Sequence, residues 1–459
     1  MRFATKLSTA IGLFSLGAGL FALPANPEEA KPNIVLFIMD DHGQRDSSAY
    51  GANDLPTPQM ERLAKRGTLF THAFVASPSC APSRAALLTG LMPARNGAEP
   101  NHSKPRAEIK KLPAWLKELG YEVVAFGKVA HYEHGSLYGF DYCGFERFHD
   151  HRGISAAIAF LERRISTAPL CLIVGTHWPH VPWPPQDDRH SPPALRLPAT
   201  HVDTPQTRDW RSRYYAAVTK ADDDLGLIHD AAEKRLGKNT LFVCTSDHGA
   251  QWPFGKWNLY DEGIRVPFIA AWPGVIPAGG RSAALISWID ILPTFIEVAG
   301  GKPPETLDGR SFAAVLRGEK ETHRDQIFAT HSGDGKMNVY PMRAVRTREW
   351  KYIRNLQPLF RYTTHIDKAA PQDGSGYFAS WRERAKSDQA AAAIVARYHA
   401  RPAEELYAVD KDPLEQHNLA ADAAYAGRLG ELRTRVDKWM TQWGDTGMVF
   451  GTPTLLETE

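Results

Sequence analysis

The sequence predicts an α/β fold: a doubly wound mixed sheet with helices on both faces, followed by a smaller C-terminal α+β subdomain with a short antiparallel sheet. Three observations point there. Apolar runs alternate with amphipathic helical stretches through residues 31–320. The first run, Asn33–Met39, is apolar without alternation, the pattern of a strand buried on both faces. After about residue 320 the texture changes to a hairpin, a polar irregular stretch and late helices.

Asn33–Met39 reads as the first strand and ends in Asp40-Asp41-His42-Gly43. Thr57 is placed to cap a helix running to Arg66, with Pro58 at the first helical position, where a missing N–H costs nothing. Ala107–Leu119 reads as largely helical and Tyr121–Phe126 as a strand ending in Gly127-Lys128. Strands Leu170–Val174 and Leu241–Thr245 end in Thr176-His177 and Ser246-Asp247-His248-Gly249. Gln206–Leu236 reads as mostly helical, Ile264–Ala271 as a strand and Trp288–Val298 as a helix. Asp, His or Lys thus stands at four strand ends, and doubly wound sheets bind ligands beyond the carboxyl ends of their strands. Farther on, Met342–Arg346 and Trp350–Arg354 read as a hairpin, Arg361–Lys386 as irregular and Leu406–Ala408 as a strand. Gln389–His399, capped by Asp388, and Arg428–Trp443 read as helices.

The organisation expected is a signal peptide over residues 1–25, a catalytic α/β domain over 31–320 and the subdomain over 321–459. Arg2 and Lys6 precede an apolar run from Ala10 to Leu23 and then Pro24-Ala25, the layout of a secretory signal. The run is too short and glycine-rich for a membrane span, and no cysteine follows it to carry a lipid. An exported protein without stable membrane insertion is expected, in a periplasmic, secreted or lysosome-like setting. A formal charge of +2 is too small for electrostatics alone to recruit nucleic acid. The 4 cysteines exclude a disulfide scaffold. Cys171 and Cys244 lie in strand-like runs and read as buried hydrophobes, and Cys143 in its loop reads the same way.

Cys80 differs. It opens Cys80-Ala81-Pro82-Ser83-Arg84-Ala85-Ala86-Leu87-Leu88-Thr89-Gly90, where Pro82 suits a first helical turn and Gly90 a helix end. A cysteine at a helix N-terminus meets free N–H groups and a positive dipole that favour an anion, and Arg84 adds a fixed charge one turn on.

Cys-x-Pro-Ser-Arg followed by Leu-Thr-Gly resembles the signature of the type I sulfatases of the alkaline phosphatase superfamily, in which the cysteine is oxidised to formylglycine. The resemblance spans roughly residues 31–420. Asp40-Asp41 resembles the family's first metal carboxylates, Ser246-Asp247-His248-Gly249 the second metal segment and Gly127-Lys128 with His131 its Gly-Lys-x-x-His variant. His177-Trp178-Pro179-His180 resembles the His-x-Pro-His loop, and Gly255 to Pro267 the segment carrying the distal lysine, Lys256. The resemblance implies one calcium ion, a formylglycine made from Cys80 by a formylglycine-generating or anaerobic maturation enzyme, and a sulfated substrate. Asp40, Asp41, Asp247 and residue 80 are then metal ligands; their hard oxygens suit Ca²⁺ better than Mg²⁺. His248 stands where asparagine is common, leaving metal ligation and a contact to sulfate as equal readings. Arg84, Lys128 and Lys256 would clamp sulfate oxygens, His177 or Lys256 would protonate the leaving atom, and His131 would be the base on a hydroxyl of residue 80. His131 lies three positions after Lys128 where two is common, so His134 is a rival base. His180 and Arg265 are candidate substrate contacts, with an ion pair to Asp261 or Glu262 the other reading of Arg265. His42 and His331 are unassigned.

His331-Ser332-Gly333-Asp334, Tyr340 to Arg346 and Glu349 to Tyr352 resemble heparan N-sulfatases, whereas the Gly-Lys-x-x-His spacing and the His-Trp-Pro-His-Val-Pro loop are similar to iduronate 2-sulfatase. Both imply a sulfated carbohydrate, polysaccharide or glycosaminoglycan fragment, and O-sulfate is placed ahead of N-sulfamate. A sulfamidase, a phosphonate or phosphodiester hydrolase on the same scaffold and an inactive sugar-binding relative are the alternatives. Trp178, Trp183, Trp252 and Trp257 either stack on sugar or pack the core.

Overall fold

A computed structural model describes residue 1 and residues 31–186, 189–371 and 375–456. Apart from Met1, the expected signal peptide lies outside the described residues. Among them no helix is long and apolar enough to cross a membrane.

The strands are β1 (Asn33–Met39), β2 (Thr68–Phe70), β3 (Ala73–Phe74), β4 (Glu122–Gly127), β5 (Tyr142–Gly144), β6 (Leu170–Gly175) and β7 (Thr240–Ser246). Then come β8 (Phe268–Ala271), β9 (Gly280–Ser282), β10 (Ile286–Ser287), β11 (Gln326–His331), β12 (Met342–Thr347), β13 (Trp350–Asn355) and β14 (Glu404–Ala408). Eight form one mixed sheet in the order β5-β4-β6-β1-β7-β8-β2-β9, with β8 antiparallel to both its neighbours. β1 sits centrally, parallel to β6 and β7, and is buried at every position but its first. Its side chains feed two layers, which explains the absence of polar alternation. Ile34, Leu36 and Ile38 join a core with helices Cys80–Thr89, Leu112–Glu118 and Ile291–Val298. Val35, Phe37 and Met39 join another with helices Pro58–Arg66, Arg152–Arg163 and Pro205–Leu236.

β11-β12-β13-β14 form a separate antiparallel sheet. Helix Ala426–Trp443 covers it, packing Leu429, Leu432 and Val436 on Val345, Tyr352 and Leu406. Residues on both sides of position 320 belong to one compact unit, Pro32–Glu459.

Three expected elements differ. The helix expected over Ala107–Leu119 exists only as Leu112–Glu118, because Pro113 lacks an N–H and therefore starts a helix rather than continuing one. Lys111 instead turns its amine back onto the carbonyls of Ala107 and Ile109. The strand expected over Ile264–Ala271 is shortened to Phe268–Ala271, with Pro267 before it and a helical turn at Asp261–Ile264. The stretch expected to be irregular, Arg361–Lys386, contains helices His365–Lys368 and Phe378–Ala385.

Register decides where the strand ends emerge. Met39 lies opposite Ser246 and Ile38 opposite Gly175, while Gly127 lies opposite Gly175. Asp40, Lys128, Thr176 and Asp247 therefore leave the sheet at one edge. Gly127 adopts φ of 71°, and a Cβ there would lie 2.0 Å from the Gly175 carbonyl oxygen. No larger residue fits without pushing β4 from β6, and Lys128 with it. Gly127→Ala is expected to lower stability by at least about 2 kcal/mol in denaturant unfolding; an unchanged midpoint would contradict this packing.

Candidate active site

Asp40-Asp41 and Asp247-His248 leave β1 and β7 side by side. Asp41 takes φ of 68°, a left-handed conformation that aspartate tolerates better than most residues. Its N–H donates to Asp247 Oδ1 at 3.0 Å, which locks the two strand ends together. The Ser246 hydroxyl accepts from the His42 N–H at 2.9 Å, and His42 Nε2 lies 2.7 Å from the Asp46 carbonyl, so His42 is structural.

Cys80 opens helix Cys80–Thr89, all of it buried, and Gly90 ends it with φ of 66° and an N–H on the Ala86 carbonyl. The helix start is less open to an anion than expected. The Ala81 N–H donates to Asn101 Oδ1 at 3.0 Å and the Ser83 N–H to the Ser79 carbonyl at 3.1 Å. Cys80 Sγ lies 3.3 Å from His248 Nε2, 3.4 Å from Lys128 Nζ and 3.9 Å from Asp40 Oδ1. One donor atom from each of Asp40, Asp41, Cys80, Asp247 and His248 lies within 4.8 Å of every other, so the expected metal set converges, His248 included.

Arg84, expected to clamp sulfate, here turns its donors to other groups. Nε donates to Asp247 Oδ2 at 3.0 Å, Nη2 reaches Asp40 Oδ1 at 3.2 Å and Asp247 Oδ2 at 2.9 Å, and Nη1 donates to the Lys128 carbonyl. Its donors are occupied by the carboxylates and the backbone, so Arg84 anchors the site. Lys128 Nζ donates to Asp40 Oδ2 at 2.6 Å, and Lys256 Nζ donates to both Asp41 oxygens, at 2.9 and 2.8 Å.

Burial opposes ionisation of Asp40, but Lys128, His180 and Arg84 outweigh it and hold its carboxyl well below the usual range. Burial, with Asp40 and Asp247 adding to it, wins at Asp41 and raises its carboxyl despite Lys256. Against burial, Asp40 keeps Lys128 and Asp41 keeps Lys256 firmly protonated. Burial pushes the Cys80 thiol up to about 12, so Cys80 is not an activated thiolate.

A cavity of about 210 Å³ opens over Cys80, lined also by His131, His180 and Lys256. His180 Nδ1 donates to the Val181 carbonyl at 2.5 Å and Nε2 lies 3.9 Å from Asp41 Oδ2. His134 lies 5.5 Å, ring to ring, from His131 and is not among the lining residues. Nor is His177, which stacks on His149 and is pushed down to about 3 by burial, with Lys128 adding to it. Arg265 does not join the site either: Nε donates to the Thr71 carbonyl at 2.8 Å and Nη1 lies 3.7 Å from Asp261, the ion-pair reading. Trp183 and Trp252 stack in the core with centroids 5.0 Å apart, whereas Trp257 lines the cavity. Asn101, His102 and Asp334 also line it and were not foreseen. The first two lie in a loop, away from any strand end. Asp334 follows β11, so the strand-end rule extended to the second sheet would have found it.

Residues 32–301 match the family model described as Sulfatase. The chain belongs to the sulfatase family. As a sulfatase it is a sulfuric ester hydrolase with an alkaline phosphatase-like fold, and residues 248–375 match the model for the N-sulphoglucosamine sulphohydrolase C-terminal region. The sulfatase is 33% identical to an ulvan-active sulfatase of Formosa agariphila over 90% of its own length and 81% of the relative's. It is 29% identical to the N-sulphoglucosamine sulphohydrolase of Homo sapiens over 90% of each chain. A solved 2-O GAG sulfatase superposes with a TM-score of 0.70 at 24% identity, covering 93% of this chain and 98% of that one.

Arg84 is the cation shared by two buried carboxylates. Replacing it with Met in this sulfatase is expected to cost about 3–5 kcal/mol in unfolding experiments with chelator present; a loss below about 1 kcal/mol would show that Arg84 is not the anchor.

Proposed function

We propose that the protein is an exported, calcium-dependent enzyme that removes sulfate from a sulfated carbohydrate, with residue 80 working as formylglycine. The observation carrying this reading is the meeting of Cys80 with three buried carboxylates and two lysines, where Cys80 and Lys256 line one cavity. A thiol held up at about 12 makes a poor nucleophile at neutral pH, which favours a converted side chain over a working cysteine.

The donor set fits calcium. Asp40, Asp41 and Asp247 offer hard oxygens in a fully buried site, and only the sulfur of Cys80 is soft; conversion to formylglycine replaces it with oxygen. His248, placed beside these atoms, completes the set. Calcium supplies Lewis-acid polarisation of oxygen when bound. Formylglycine at residue 80 would supply a hydrated aldehyde, with one hydroxyl as nucleophile toward sulfur and the other as the proton source for a base. Lys128 and Lys256 stand beside residue 80 to neutralise the ester's negative charge. Lys256 is the assigned proton donor to the leaving atom, since it is protonated and lines the cavity where His177 does not. His131 is the assigned base. A maturation enzyme installs the aldehyde, and the apolar run at the N-terminus carries the export assignment.

The substrate class follows from the relatives, one named for ulvan and one for N-sulphoglucosamine. An N-sulfated glucosamine is the second reading, favoured by the match of residues 248–375.

Protein made in a cell with maturation machinery is expected to show formylglycine at residue 80 by mass spectrometry. It is expected to hydrolyse O- or N-sulfated oligosaccharides faster than phosphodiesters, and Cys80→Ala is expected to fold and lose turnover. Unmodified cysteine in active enzyme, or dominant phosphodiesterase activity, would overturn the proposal. Chelation is expected to abolish turnover and calcium to restore it better than magnesium; full activity in chelator would remove the metal from the account.

A further inference from the structure

We infer that Asp334 and His102 form a hydrogen-bonded relay that fixes the tautomer of His131, leaving Nδ1 of His131 as its basic nitrogen in the cavity above residue 80. The inference rests on the sulfatase reading above for what that base does.

The relay can be read from what each atom is able to do. An ionised carboxylate only accepts. Asp334 Oδ2 accepts from Asn101 Nδ2 at 2.9 Å and from Trp257 Nε1 at 2.7 Å, and Oδ1 faces His102 Nε2 at 3.1 Å. His102 Nε2 must therefore carry the hydrogen. In this scheme His102 carries that single N–H, which leaves its Nδ1 as a lone pair. That nitrogen lies 2.7 Å from His131 Nε2, which must in turn donate. The lone pair of His131 is then on Nδ1, an atom that is buried and has no hydrogen-bond partner in the protein. His131 is 4% exposed and lines the cavity with Cys80, so this unpaired acceptor has a place in the chemistry where elsewhere it would be a cost.

The surrounding charges agree. Burial, then Lys128, His102, His134 and Arg84, hold His131 well below the ordinary histidine range, so it rests neutral and able to accept. Burial works against ionisation of Asp334, but hydrogen bonds from His102 and Asn101 and the neighbouring His365 outweigh it and keep it ionised. Tyr132 and, beyond His134, Lys104 also stand near, and Cys80, His180 and Lys256 share the cavity. With formylglycine at residue 80, the O–H of its free hydroxyl would break and a new N–H would form on His131 Nδ1, with no change at Nε2. The O–H electron pair would become the aldehyde C=O as the C–O bond to sulfate breaks and sulfate leaves. The positive charge so created faces the carboxylate through His102. His102 and Asp334 are positioning residues in this scheme; neither has to touch substrate.

Two measurements test it. In ¹⁵N-histidine-labelled wild-type protein the ring shifts of His131 are expected to show Nε2–H with Nδ1 unprotonated; an Nδ1–H tautomer would overturn the relay whether or not the enzyme turns over. His102→Ala is expected to lower kcat about tenfold to a hundredfold, with KM within about twofold. His102 is more than half exposed, so added imidazole is expected to reach the gap and restore kcat, which loss of packing alone would not allow. In Asp334→Asn the acidic limb of the kcat profile is expected to move to lower pH, because a carboxylate that stabilised the imidazolium is gone. Wild-type kcat in His102→Ala, or reduced kcat that imidazole leaves unchanged, would overturn the proposal. A formylglycine-bearing wild type that hydrolyses no sulfate ester would instead refute the sulfatase reading, and the tautomer measurement keeps the two failures apart.

Discussion

Arg84, held between Asp40 and Asp247, is the interaction on which the rest of the site depends. Three carboxylates crowd one dry pocket at the sheet edge, and each buried charge costs several kcal/mol unless it is paired. Arg84, Lys128 and Lys256 supply as many cations as there are carboxylates. The cluster is therefore formally balanced without any ion. That balance has a functional meaning. Under the proposed reading, a divalent cation added to a neutral cluster would leave net positive charge in a low-dielectric pocket and so would favour an anionic ester over a neutral sugar. Lys128 lies 3.4 Å from the Cys80 sulfur and Lys256 lines the cavity, while Arg84 holds the two carboxylates.

The frame itself is a consequence of strand register. Parallel β1 and β7 stop together, so Asp40-Asp41 and Asp247-His248 emerge as neighbours, and the close approach of Gly127 to Gly175 brings Lys128 to the same edge. The second sheet contributes as well. Asp334 follows β11 and holds Trp257, Asn101 and His102, and Asn101 in turn holds the N–H next to Cys80. The C-terminal region thus lines the cavity over Cys80, which is a physical reason for both regions to lie in one compact unit.

The strand ends were legible because an apolar run that stops at a charged pair marks both the strand and its carboxyl end. Asp40, Asp41, Lys128 and Asp247 were found that way, and the Cys80 helix by its Pro82 and Gly90. Arg84 was legible as a charge but not as an anchor, because where a guanidinium points depends on carboxylates far along the chain. Arg265 shows the same limit: its ion pair with Asp261, four positions earlier, was one of two readings, and only packing chose between them. Asn101 and Asp334, 233 positions apart, have no local pattern that joins them. The helix expected from Ala107 failed for a local reason that was present in the sequence, since Pro113 was a start signal.

The measurement that bears most directly on this account is a crystal structure of the matured enzyme grown with calcium and a sulfated sugar, with the ion identified by its anomalous signal. The account predicts one calcium bound by Asp40, Asp41, Asp247, His248 and residue 80, with sulfate against Lys128 and Lys256 and Arg84 still on its two carboxylates. Calcium bound elsewhere, or sulfate seated on Arg84 with the lysines left on Asp40 and Asp41, would contradict it.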